Sequence, residues 1–108
     1  MALYMTQFAY TSEAWAKLSM NPEDRRAPLR ALLQKAGGRL VELYYSFGEY
    51  DGFLIFEAPD EVSATATVLA ALAPGHVRAI KTTTLLTVEQ AMEAMRKAGG
   101  LSYAGPKG

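Results

Sequence analysis

The stretch GRLVELYYSFGEYDGFLIFEA, residues 38–58, sets two apolar runs on either side of a short polar break. Two tight turns are available inside it, Gly48-Glu49 and Asp51-Gly52. Asp-Gly is the stronger local hairpin signal. It would, however, draw Gly48 and Glu49 into a strand and leave Leu40 to Leu43 without partners. A Gly48-Glu49 turn of type II′, with left-handed backbone at Gly48, gives the longer ladder. It predicts strands over 39–47 and 50–57 and pairs Phe47 with Tyr50, Ser46 with Asp51, Tyr44 with Phe53, Val41 with Phe56, and Leu40 with Glu57. Strand alternation then sorts two faces. Val41, Leu43, Tyr45, Phe47, Tyr50, Leu54 and Phe56 share an apolar face expected under helices. Leu40, Glu42, Tyr44, Ser46, Asp51, Phe53, Ile55 and Glu57 share a mixed face, too apolar for water and too polar for an ordinary core.

Working outward, residues 2–10 alternate as a strand, and Thr11 or Ser12 can cap a helix carrying Trp15 and Leu18. MNPEDRR interrupts that helix; Asn21 can cap its continuation and Pro22 suits a first helical position. Leu29, Leu32, Leu33 and Ala36 follow at helical spacing, with Pro28 implying a kink or a delayed start and Gly37-Gly38 a stop. After the hairpin, Asp60 caps a helix whose stripe is Val62, Ala66, Leu69 and Ala73, ended by Pro74-Gly75. HVRAIKTTTLL is a β-branched fourth strand, and Thr87 with Gln90 forms a capping box for a last helix bearing Val88, Ala91, Met92 and Met95. The order β-α-β-β-α-β plus one helix predicts an α+β, ferredoxin-like unit. It has a four-stranded antiparallel sheet with helices on one face. We place one domain over residues 1–98, including the extra C-terminal helix, and a tail over 99–108.

Composition bounds the rest. The chain has 108 residues, half of them hydrophobic, and 11 basic side chains balance 11 acidic ones. Zero net charge gives no footprint for nucleic acid or an anionic membrane. With no cysteine there is no disulfide, thiolate metal site or cysteine nucleophile. No apolar run approaches the roughly 20 residues of a membrane helix. MALYMTQFAY reads as a strand and not a signal peptide, so we expect a cytoplasmic protein.

The segment GGRLVELYYSFGEYDGFLIFEAPDEVSA, with Gly48, Tyr50 and Asp51 in its turn, resembles the signature of the GYD-domain family. VRAIKTTTLLTVEQAMEAMRKAGGLSY also looks like the later part of some members. The family is similar to the ferredoxin-like dimeric α/β-barrel proteins, in which two sheets pack face to face. That superfamily holds cofactor-free oxygenases and isomerases beside members with no known reaction. The resemblance therefore implies fold and self-association and leaves the chemistry open.

His76 is the sole histidine, so no multi-histidine metal site is expected within one chain. It reads as a solvated corner residue, or as a proton shuttle at a sheet edge. Asp51 and Glu57 lie roughly 20 Å apart along a strand, too far for a paired-carboxylate mechanism. Glu57 is expected to orient the strand-to-helix corner or to pair with Arg78 or Lys81, and the basic residues at 25, 26, 30, 35 and 39 to form a solvated face. We expect a homodimer or larger homo-oligomer that binds a small molecule without cofactor or metal. An assembly or regulatory module, or a cofactor-free oxygenase or isomerase, are the alternatives. Tyr45, Tyr50, His76 and Trp15 are the ligand-site candidates, between sheet and helices. Tyr44, Asp51, Phe53 and Ile55 are the interface candidates, and Gly48 the turn residue.

Overall fold

A computed structural model describes residues 1–107. In chain order the elements are β1 (Ala2–Tyr10), α1 (Ser12–Met20), α2 (Arg26–Lys35), β2 (Arg39–Tyr45), β3 (Gly52–Ala58), α3 (Glu61–Leu72), β4 (Val77–Leu85) and α4 (Val88–Gly99). The strands form one antiparallel sheet in the order β2-β3-β1-β4. This is the expected ferredoxin-like α+β arrangement, with the first helical segment split in two and one helix added at the end.

The core lies between this sheet and its helices. Alternation along β1 buries Tyr4, Thr6 and Phe8, and along β3 it buries Gly52, Leu54, Phe56 and Ala58. Leu33 of α2 and Ala64 of α3 close over them, and the Tyr4 and Phe56 rings stack at 5.4 Å. Burying a large apolar side chain is worth about 2 kcal/mol, so these few residues carry much of the fold. The opposite face carries Leu3, Met5, Phe53 and Ile55, each half-buried with no helix above it.

Three helix starts follow their side chains. Thr11 accepts from the Ala14 N–H at 3.1 Å, Asp60 from the Ser63 N–H at 2.7 Å, and Thr87 forms the expected reciprocal box with Gln90. The second helical segment starts late, at Arg26, as Pro28 implies. Asn21 caps the end of α1 and not the start of α2. The Asp24 carboxylate takes both the backbone and the guanidinium N–H groups of Arg26, and these hydrogen bonds hold its pKa down at about 2. Gly37 adopts the left-handed backbone that ends α2, and Gly38 passes so close to Glu57 that a Cβ would lie 2.0 Å from its carbonyl oxygen.

Three expectations from the sequence are overturned. First, the hairpin has no two-residue turn. The ladder ends at Tyr45 opposite Gly52, and residues 46–51 form a loop. The left-handed residue there is Phe47, at φ 53°, and Gly48 is not left-handed. Second, the pairing holds from Glu42 to Tyr45, then a bulge at Val41 shifts it by one. Leu40 thereby pairs with Phe56 and joins the core, Arg39 pairs with Glu57, and Val41 is exposed. Arg39 also forms the ion pair expected of Arg78 or Lys81, at 3.0 Å from Glu57. Third, α3 turns its small residues inward. Ala64 and Thr67 are buried, whereas Val62 and Leu69 of the expected core stripe are 79% and 60% exposed. Small side chains let that helix sit close to the sheet, and residues on the far side of the same cylinder cannot then reach it.

Candidate functional site

Tyr10, the last residue of β1, joins two features. On one side, a cavity of about 230 Å³ opens between the sheet and α2 and α3. Its floor is Thr6, Phe8, Leu54 and Phe56, and its roof includes Leu29, Leu32, Thr67 and Ala71. The two threonine hydroxyls in its walls are already paired. The Thr6 hydroxyl bonds that of Thr82 at 2.8 Å, and the Thr67 hydroxyl donates to the Ser63 carbonyl at 2.9 Å. Tyr10, Arg25 and His76 line this cavity and also a wider cleft of about 640 Å³ beside α1, so they mark the mouth between the two. His76 is fixed there through its backbone, whose carbonyl accepts the Thr11 N–H at 2.9 Å. Arg25 is held by an ion pair to Glu23.

The other feature is an aromatic corner. Trp15 stands edge-on to Tyr10 at 5.1 Å and meets Tyr45 at 6.1 Å and Phe47 at 5.5 Å. These contacts surround a smaller cleft lined by Trp15, Leu18, Pro22, Glu23, Tyr45 and Phe47. Asp51 pins the corner. Its Oδ2 accepts the Tyr10 N–H at 2.8 Å and the Trp15 indole N–H at 2.9 Å, and its own N–H donates to the Phe8 carbonyl at 2.8 Å. One aspartate thus ties the start of β3 to the end of β1 and to α1. Alternation alone places this carboxylate on the mixed face with Ser46. Asp51 instead lies in the loop, ahead of the first ladder residue, where strand alternation does not govern.

The Tyr10 hydroxyl lies 3.4 Å from that of Tyr45. Burial, reinforced by Tyr45, pushes its pKa well above the ordinary tyrosine value, with Arg25 offsetting part of the rise. Tyr10 therefore keeps its proton at neutral pH. Phe47 is 70% exposed despite its left-handed backbone, a conformation a bulky residue rarely adopts.

The structure brings Trp15 and Tyr45 together and sets His76 on the far side of Tyr10, at the mouth of the cavity. Tyr50 lines none of these three cavities; its carbonyl accepts from the Ser46 hydroxyl and the Gly48 N–H within the loop. Tyr44 and Phe53 stand side by side at 5.5 Å on the helix-free face with Ile55. Gly48 has open space around it. Sequence reasoning missed Arg25, taken for part of a solvated helix face. The only signal was Pro22 and Pro28, which put Arg25 at a helix junction. Among the described residues, no group of three or more His, Asp or Glu side chains is placed to hold a metal. Among the same residues no helix is long and apolar enough to cross a membrane.

The GYD domain profile matches residues 4–95. Among solved structures, MtbAldR is similar at 19% identity and a TM-score of 0.56, over 80% of this chain and 52% of that one. The chain thus spans about half the length of MtbAldR. TTHA0845 from Thermus thermophilus is similar at 13% identity and a TM-score of 0.52, over 82% of this chain and 96% of that one. At these identities the likeness is one of fold. A search of curated proteins found no match.

Proposed function

This chain belongs to the GYD domain family, and we propose that it is a homo-oligomeric protein that binds a small, mostly apolar molecule between its sheet and helices. The observation that carries the binding reading is the slot of about 230 Å³, apolar on its walls with Tyr10, Arg25 and His76 at its mouth. A few convergent polar groups at the opening of an apolar cavity are the usual form of a small-molecule site. The donors at this mouth suit a ligand with a hydrogen-bond-accepting end outward and a hydrocarbon or ring end inward. Self-association is supported by the helix-free sheet face, where Tyr44, Phe53 and Ile55 lie together.

Catalysis is the second reading, in the manner of the cofactor-free oxygenases and isomerases. It is favoured by the position of His76 at the mouth, beside a tyrosine that keeps its proton. His76 would be the general base and the Tyr10 hydroxyl the donor to a developing oxyanion.

The test fills the slot. Ala71→Phe projects a ring from α3 into the space, while the half-buried site tolerates the added volume. Native mass spectrometry of the purified protein, and a thermal-shift screen of small organic molecules, should find a ligand for the wild type. The variant should lose that ligand and keep its circular dichroism. If the wild type carries nothing and no compound raises its melting temperature, or if Ala71→Phe binds as well as the wild type, the slot is only a packing gap. Turnover of a bound compound that vanishes in His76→Gln, with binding retained, would favour catalysis.

A further inference from the structure

Helix α4 is amphipathic and buries none of its residues in its own chain. Val88, Met92 and Met95 lie at i, i+4 and i+7, on one stripe. No residue of α4 is buried, and Val88 and Met95 are 72% and 67% exposed. A 12-residue helix with no buried residue is marginal in water, because helix formation at that length depends on packing. The stripe is also continuous with another bare surface. Leu85, paired with Leu3 on the helix-free sheet face, runs through exposed Leu86 directly into α4.

The size of the uncovered surface points to its occupant. The chain measures 59 × 36 × 22 Å with a radius of gyration of 17.6 Å, against about 13 Å for a compact domain of this length. Its accessible surface is 7631 Å², whereas a compact monomer of 11.7 kDa exposes about 5,900 Å². The excess, roughly 1,700 Å² per chain, falls in the range that one subunit buries in an obligate homodimer. Each chain supplies one α4 and one bare sheet face, so a two-fold exchange satisfies both with no third component.

We propose that α4 packs its Val88–Met92–Met95 stripe on a second copy of this chain, in a reciprocal two-fold exchange continuous with the helix-free sheet face. The inference rests on the homo-oligomer part of the function proposed above and is independent of the slot. The helix acts as a strap: it folds fully once the partner subunit covers it, and it locks the pair.

Sedimentation equilibrium and hydrogen exchange on the full chain at micromolar concentration test this. The wild type should sediment as a dimer or larger even-numbered oligomer. Its α4 amides should be protected about a hundredfold relative to a free peptide of residues 85–103. The double variant Met92→Glu/Met95→Glu should raise the dissociation constant about a hundredfold or more, since it sets charges in an apolar contact. Neither methionine is buried in its own chain, so the Trp15 emission of the body should stay unchanged. Met92→Leu/Met95→Leu, which keeps volume and apolarity, should associate as the wild type does. An oligomer whose α4 amides exchange like the free peptide, or whose association ignores the double Glu change, overturns the strap and leaves the homo-oligomer reading standing. A wild type that stays monomeric, alone or complexed one-to-one with a different protein, overturns both.

Discussion

Two glycines of the hairpin, Gly48 in its loop and Gly52 at the start of β3, have opposite standing. Gly48 has no atom within 4 Å of where a Cβ would sit and does not use left-handed backbone. At Gly52 a Cβ would lie 2.6 Å from the Tyr44 carbonyl oxygen and 2.7 Å from the Phe8 ring. Gly48→Ala should change stability by less than about 0.5 kcal/mol, while Gly52→Ala should cost about 2–3 kcal/mol through overpacking, read from urea melts. Asp51 is the second test at this scale. Asp51→Ala strands the Tyr10 N–H and the Trp15 indole N–H, and we expect a loss of about 2–4 kcal/mol with a shift of Trp15 fluorescence. Asp51→Asn should lose less, because an amide oxygen can still accept. An Asp51→Ala protein that melts like the wild type but no longer associates would move the residue to the subunit interface. Tyr10 sets a pH limit. Its folded-state pKa is raised, so its contribution is complete below the unfolded value of about 10 and is lost as pH rises beyond it. Tyr10→Phe should therefore flatten the fall in melting temperature above pH 10.

The elements divide by whether their signals are local. Thr11, Asp60 and Thr87 cap their helices as their spacing predicts, because a cap involves only a side chain and the next three residues. The alternation of residues 2–10 likewise gives β1 to the residue. The bulge at Val41 was not legible, since a one-residue slip depends on which of Leu40 and Val41 fits beside Phe56 under α2. The inward face of α3 was hidden for a related reason: Val, Leu, Ala and Thr surround the whole helix, so periodicity names no face. Of the four ligand-site candidates, His76 lines the slot, whereas Trp15 and Tyr45 line the smaller cleft beyond Tyr10. Arg25 and the slot itself arise only when α2, α3 and β4 converge. Asp60 gives a test at this scale. The Ser63 N–H holds its pKa down, so stability from this cap is present above the ordinary carboxylate range and lost as pH falls through the lowered folded value. Asp60→Asn keeps an oxygen for the Ser63 N–H but cannot titrate. Melts between pH 6 and 3 should show a shallower acid-side decline in that variant.

At the scale of the whole molecule, one face of a four-stranded sheet is covered by helices and the other bears Leu3, Met5, Tyr44, Phe53 and Ile55. Phe53 sits on that bare face at the loop end of β3, paired with Gln7 and Tyr44 and only half-buried, and it takes no part in the core on the other side. Phe53→Glu should therefore leave the single chain folded, since its new carboxylate meets water. In a face-to-face pair the same carboxylate is trapped without a cation opposite, because two-fold symmetry sets like against like near the axis. We expect the dissociation constant to rise about a hundredfold, equivalent to about 3 kcal/mol, while Phe53→Leu changes it little. Light scattering across a dilution series gives the mass, and circular dichroism confirms that the monomer is folded. If Phe53→Glu associates like the wild type while the Glu pair in α4 dissociates, the contact runs through the helix alone and the sheet faces do not meet. If Phe53→Glu dissociates and the α4 pair does not, the sheets form the interface and α4 only extends from it. Loss of association in both would mean that sheet and strap belong to one surface, which is what the continuity of Leu3, Leu85, Leu86 and Val88 requires.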